Sequence, residues 1–107
     1  VIVGRNARAN DQLSLKIARA NDLWMHVAGV PGSHVVVRVE PGGSDPPKAV
    51  VDAAAGLAVR HSKARDARGK VPVHLCRGAD VGKRRGAPAG QVTLRRYETL
   101  KVYAPGD

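Results

Sequence analysis

The run from His34 to Val39 constrains the fold most, because four of its six residues are valine and only Arg38 interrupts the apolar stretch. β-branched side chains suit a pleated strand, and a run without polar alternation suits a strand covered on both faces. Just upstream, Asp22 to Val27 alternates, with Leu23, Met25 and Val27 on one face and Asp22, Trp24 and His26 on the other. Pro31-Gly32 between the two segments forces a turn. Residues 23–28 and 34–39 are therefore expected as neighbouring antiparallel strands of a sheet that needs cover on two sides.

Composition decides what that cover is made of. The sequence has no Phe, one Trp and two Tyr, so the core must be built from Val, Leu, Ile and Ala. Val1 to Val3 reads as a short buried strand. A helix is expected over roughly 7–17, with Asn6 as N-cap and Ala9, Leu13 and Ile17 on one face, although the alternation of Leu13, Leu15 and Ile17 leaves a strand open there. The breaker-rich stretch Pro41 to Pro47 ends in a helix start, with Asp45 as the expected N-cap. The second helix should run from Lys48 to Lys63, its apolar face formed by Val50, Val51, Ala54, Leu57, Ala58 and His61. Val71 to Arg77 alternates as a strand. Gly82 to Gly90 is a basic, glycine-rich segment expected to be a mobile loop. Two last strands, 91–95 and 98–103, are expected to pair as a hairpin. The order β-α-β-β-α-β-β-β indicates an α+β fold, a mainly antiparallel sheet with two helices, in a single domain over 1–107.

One cysteine, Cys76, excludes an intramolecular disulfide and a multi-cysteine zinc site. Arg5 and Arg8 interrupt the first apolar run, and no apolar stretch approaches the roughly 18 residues of a membrane span. A cytoplasmic protein is expected. The net charge of +9 is unevenly spread. Residues 1–59 hold six basic and five acidic side chains, whereas residues 60–85 hold nine basic side chains against Asp66 and Asp80, a net +7. A one-sided basic stretch attracts polyanions, and nucleic acid is the commonest.

The blocks Val3-Gly4-Arg5-Asn6, Asn10-Asp11-Gln12-Leu13-Ser14, Asn21 to His26 and Val30 to Val36 stand in the order and spacing of the NFACT-R domain. Ala53-Ala54, Leu57-Ala58 and His61-Ser62-Lys63-Ala64-Arg65 resemble that family's second helix. Val71-Pro72-Val73, the basic loop and Gly90-Gln91-Val92 match its C-terminal part more loosely. The resemblance covers nearly the whole chain. It implies an RNA-binding element of ribosome-associated quality control, in proteins that bind large ribosomal subunits carrying stalled nascent chains and engage peptidyl-tRNA. It thus implies tRNA or large-subunit rRNA as partner; no cofactor is expected. The family's other domains do not lie in these 107 residues, and both a stand-alone member and a domain of a larger protein fit.

The candidate RNA-binding residues are Arg5, Asn6, Asn10, Trp24, His26, Gly32, Ser33, His34, Ser62, Lys63, Arg65, Lys83, Arg84 and Arg85. Arg5 can pair a phosphate bidentately while Asn6 and Asn10 bond ribose or a base edge; alternatively Asn6 caps the helix and Asp11 holds Arg5. Trp24 beside His26 is either a stacking platform or core. Gly32 lets the backbone approach a ligand, with Ser33 and His34 bonding a phosphate or 2′-OH; alternatively this is a tight turn, with Gly32 at positive φ and Ser33 capping its own backbone. The spacing of Asp22, His26 and His34 matches no metal motif. Neither a nucleophile elbow, a P-loop nor a paired-carboxylate site is present, so no catalytic residue is assigned. Rival readings are a small hydrolase or nuclease using His26 and His34, and a module that docks on ribosomal proteins.

Overall fold

The valine run becomes an interior strand, as expected. In the computed structural model, which describes residues 1–105, Val35–Val37 forms β3, and all three of its residues are buried. The expected domain extent of 1–107 includes two residues outside that range. β3 pairs antiparallel with β1 (Ile2–Val3) on one side and with β2 (Leu23–Val27) on the other. β2 pairs in turn with β4 (Lys70–Arg77), and β4 with β7 (Glu98–Tyr103), giving a five-stranded antiparallel sheet of order β1-β3-β2-β4-β7. β1 lies at the sheet edge and is half-buried, with Val1 exposed, where a buried strand was expected.

One face of the sheet packs against α2 (Lys48–Arg60). Leu23, Met25, Val27, Val35, Val37, Val71 and Val73 meet Ala54, Ala55, Ala58 and Val59 in a continuous core. Alanines at the contact let the helix backbone approach the sheet. The helix face is rotated from the expected one: Val50 is exposed, and Ala55 and Val59 are buried instead. The helix also ends at Arg60 rather than Lys63. The Ser62 hydroxyl turns the chain there, donating to the Val59 carbonyl and accepting from the Ala64 N–H. Pro47 occupies the N-cap position, because Asp45 forms a two-oxygen pair with Arg77 Nη2 at 2.8 and 2.9 Å.

The other face is covered by irregular structure. α1 (Ala7–Gln12) continues into a π-helical turn, Leu13–Ile17, closed by the Ala18 N–H on the Leu13 carbonyl at 2.8 Å. The wider turn keeps Leu13 inside, directs Ser14 inward and leaves Ile17 exposed, so the expected Ala9–Leu13–Ile17 face is broken at its end. Leu13 packs on Trp24, Val36 and Cys76, joined by the partly buried Val81, Val92 and Leu94. Val81 and Leu94 belong to a small ribbon of β5 (Val81–Gly82) and β6 (Thr93–Leu94), and Val92 lies just before β6. The expected hairpin of 91–95 with 98–103 is therefore absent: β6 pairs with β5, while β7 pairs with β4 across the main sheet.

Candidate nucleic-acid interface

Three connections meet at one end of the sheet. The β2–β3 connection lies against the turn after α2, with the Ser33 N–H on the His61 carbonyl and the Lys63 N–H on the Pro31 carbonyl, both 3.0 Å. A Cβ on Gly32 would stand 2.7 Å from Ser62 Cβ, so glycine is required by close approach. Its φ is not positive; the left-handed residue of this connection is Gly29, at +79°. This corrects the expected conformation of Gly32. α1 is fastened to the same turn by Asn10, which is buried. Its Oδ1 accepts the His34 N–H at 3.0 Å, and its Nδ2 donates to the Gly32 carbonyl at 3.3 Å. Asn6 caps α1 by accepting the Ala9 N–H at 2.7 Å.

A third wall comes from the segment after β5. Lys83 Nζ donates to the carbonyls of Pro88 and Gln91 and pairs with Asp11 at 3.1 Å. The Gly90 N–H donates to the same carboxylate at 3.0 Å. Burial acts to raise the Asp11 pKa, but these two donors outweigh it and hold the carboxyl below its usual range. The segment expected to be mobile is thus tied to α1, and Asp11 pairs with Lys83 rather than with Arg5.

Between these walls lies a groove of about 950 Å³. Arg5, Arg60, Lys63 and Arg65 all line it, and among the described residues no carboxylate does. Asn6, Asn10, His26, Gly32, Ser33 and Ser62 line it too, so nine of the residues expected from sequence are brought together. Arg65 is only loosely paired, 3.9 Å from an almost fully exposed Asp66. Arg60, in the last turn of α2, also sits at the negative end of its dipole. Such a groove offers positive charge, guanidinium forks and a close glycine backbone to an anionic chain.

Five expected residues fall elsewhere. Arg84 and Arg85 are exposed on the loop but do not line the groove. Lys83 is a fastener whose ammonium faces three protein acceptors, not a free phosphate contact. Trp24 is 2% exposed, which corrects the stacking-platform reading: it belongs to the second core layer. His34, also 2% exposed, lies behind the groove. The indole N–H of Trp24 donates to Ser14 Oγ at 2.7 Å, and Ser14 Oγ lies 2.6 Å from His34 Nδ1. The simplest proton arrangement has the hydroxyl donating to a neutral imidazole. Burial, and then the neighbouring His26, push the His34 pKa down to about 4. Burial lowers that of His26 as well.

Ser14 and His34 have the spacing of a nucleophile and its base, but both are buried and Trp24 seals the oxygen. Asp22, expected beside His26 as an imagined ligand, instead accepts the N–H groups of Arg19 and Val39, both at 2.9 Å, and pairs with Arg38. Among the described residues no group of three or more His, Cys, Asp or Glu is placed to hold a metal ion, and no helix is long and apolar enough to cross a membrane. Sequence reasoning did not single out His61, Gln91 or the Pro88–Gly90 wall. Arg60 was read only as part of the basic stretch and of the cationic end of the second helix, not as a site residue.

Comparison with known proteins gives a consistent result. The family model described as the NFACT protein RNA binding domain matches residues 1–96. The chain is similar to the Rqc2 homolog RqcH of Bacillus subtilis, 36% identical over 107 residues, which is all of this chain and 18% of that protein. The Streptococcus suis protein of the same name is 38% identical over 95% of this chain and 18% of its own length. Among solved structures, the C-terminal part of the fibronectin/fibrinogen-binding protein from Streptococcus suis superposes with a TM-score of 0.89 at 38% identity, covering 97% of this chain and 40% of that one. The chain therefore spans about a fifth of the length of these curated relatives.

Proposed function

The chain belongs to the NFACT RNA-binding domain family, and on that premise we propose that its basic groove binds the sugar-phosphate backbone of structured RNA. We take that RNA to be tRNA or large-subunit rRNA, met during ribosome-associated quality control of stalled nascent chains. The observation that carries this reading is the convergence of Arg5, Arg60, Lys63 and Arg65 on one groove that, among the described residues, no carboxylate lines. Arginine forks bind phosphate bidentately, and several such contacts supply affinity that depends on salt and little on sequence. The fixed Pro31–Ser33 backbone and the wall at Pro88–Gln91 limit the shapes that can enter, which suits recognition of folded RNA through backbone and 2′-OH contacts.

The hydrolase alternative receives less support. His34 is sealed behind the groove, and His26 is half-buried with its pKa lowered by burial. Among the described residues no hydroxyl or thiol is hydrogen-bonded to the His26 ring.

Crosslinking in cells, followed by sequencing of the attached RNA, tests the proposal. We expect tRNA or large-subunit rRNA to be enriched, and the enrichment to fall when Arg5, Arg60 and Lys63 are replaced by Gln. Enrichment of neither RNA class, or the same enrichment with the variant, would overturn it.

A further inference from the structure

Next to the groove lies a second cavity of different chemistry, about 380 Å³ in volume. His26, Gly90 and Gln91 line both, so the two are neighbours. The second cavity lies on the sheet face away from α2, between Trp24 and His26 of β2, His74 of β4 and Tyr97 just before β7. Its walls are rings rather than cations. His74 and Tyr97 stand 4.3 Å apart between ring centroids and tilted by 44°, and the rings of His26 and His34 lie deeper inside. Tyr97 is 53% exposed, the largest accessible aromatic surface beside the groove.

We propose that this cavity takes one unpaired nucleobase of the RNA whose backbone lies in the basic groove. The inference rests on the RNA-binding reading and adds what that RNA must present: a bulged, looped or terminal nucleotide. Four arguments support it. The cavity is larger than one base and too small for a stacked pair with its sugars. Its exposed rings offer a π-face that any base can use. A base turned out of a helix leaves its phosphates outside, where Arg5 and Lys63 stand. His26 is held neutral by burial, so it can offer a donor and an acceptor to a base edge, and the Gln91 amide can do the same. Trp24, open from sequence to either a stacking or a core role, is buried in the cavity lining, and the accessible ring surface belongs to Tyr97 and His74.

The test uses three hairpin RNAs of one stem sequence: fully paired, with one unpaired adenine, and with an abasic site at that adenine. We expect the chain to bind the bulged RNA about ten-fold more tightly than the other two, in line with the usual effect of one stacked base. Tyr97→Ala should abolish this preference while leaving affinity for the paired RNA unchanged, and Tyr97→Phe should retain it. Replacing the adenine with 2-aminopurine gives a direct readout: its fluorescence should be quenched by the intact chain and not by Tyr97→Ala. Equal binding of the bulged and abasic RNAs, or a preference that survives Tyr97→Ala, overturns the base pocket and leaves the backbone groove standing. Failure of all three RNAs to bind overturns the groove and the pocket together.

Discussion

Protonating His34 should loosen the native state. Its pKa lies at about 4, because burial strips water from the charged form and the His26 ring stands 5.2 Å away between centroids. In an unfolded chain histidine titrates near 6.5. Between those values the unfolded state binds a proton that the folded state does not. Stability therefore rises with pH through this window and is lost as pH falls from 6.5 toward 4. By pH 4.5 the loss from this residue alone is about 2.5 kcal/mol, a large share of what holds a small domain together. His26, also lowered by burial, adds a loss of the same sign. Asp22 acts at lower pH. Burial acts to raise its pKa, but the N–H groups of Arg19 and Val39 and the Arg38 guanidinium outweigh it. Its contribution is therefore present above the unfolded value of 3.8 and is lost as pH falls below it. Urea unfolding followed by circular dichroism at pH 7.5, 6.5, 5.5 and 4.5 measures the effect. His34→Gln should be less stable at pH 7.5 but should lose well under half as much on acidification. Equal losses in the two proteins would refute the claim that a buried neutral His34 controls this window.

Three further perturbations follow from the same contacts. Gly32→Val puts a branched side chain against Ser62 and should lower stability by about 1–3 kcal/mol; an unchanged urea midpoint would mean the two turns are not in fixed contact. Ser14→Ala leaves the Trp24 N–H and His34 Nδ1 without their shared partner, an expected loss of roughly 2–4 kcal/mol in the same assay, and a loss near zero would show that the oxygen is dispensable. Asp11→Asn makes the chain more positive, yet it should weaken RNA binding several-fold by releasing Lys83 and Gly90 from the wall. Tighter binding in a filter or anisotropy titration, as charge alone demands, would contradict the role of that fastening.

What could be read from sequence was mostly local. The Val35–Val37 strand and its alternating neighbour follow from periods of two residues and appear where expected, whereas the turn expected at Pro31-Gly32 falls earlier, at Ala28-Gly29, and Gly32 instead bridges to Ser62. Arg5, Lys63 and Arg65 were legible as cations in a basic, glycine-bearing context. The errors are long-range. Residues 91–103 look like a hairpin because both halves have strand character, but β7 prefers the open edge of β4 and β6 closes on β5. Asp45 has the right place for an N-cap, and Arg77, thirty-two residues away, takes it. Lys83 shares its run with Arg84 and Arg85, and only the fold brings it to Asp11, 72 residues distant. Ile17 was placed on a buried face by a 3.6-residue period that the π-helical turn interrupts. The ring-lined cavity left no local signature, because His26, His74 and Tyr97 come from β2, β4 and the turn before β7.

The central claim is that the groove cations, rather than the exposed loop arginines, hold the RNA backbone. Its most direct test is the dependence of RNA affinity on salt for the intact chain, for Arg60→Gln/Lys63→Gln/Arg65→Gln and for Arg84→Gln/Arg85→Gln. The groove variant should keep its urea stability while its plot of log K against log salt flattens by about 0.7–0.9 per lost phosphate contact. The loop variant should keep most of the original slope. An unchanged slope in the groove variant, with the flattening found in the loop variant instead, would contradict the account.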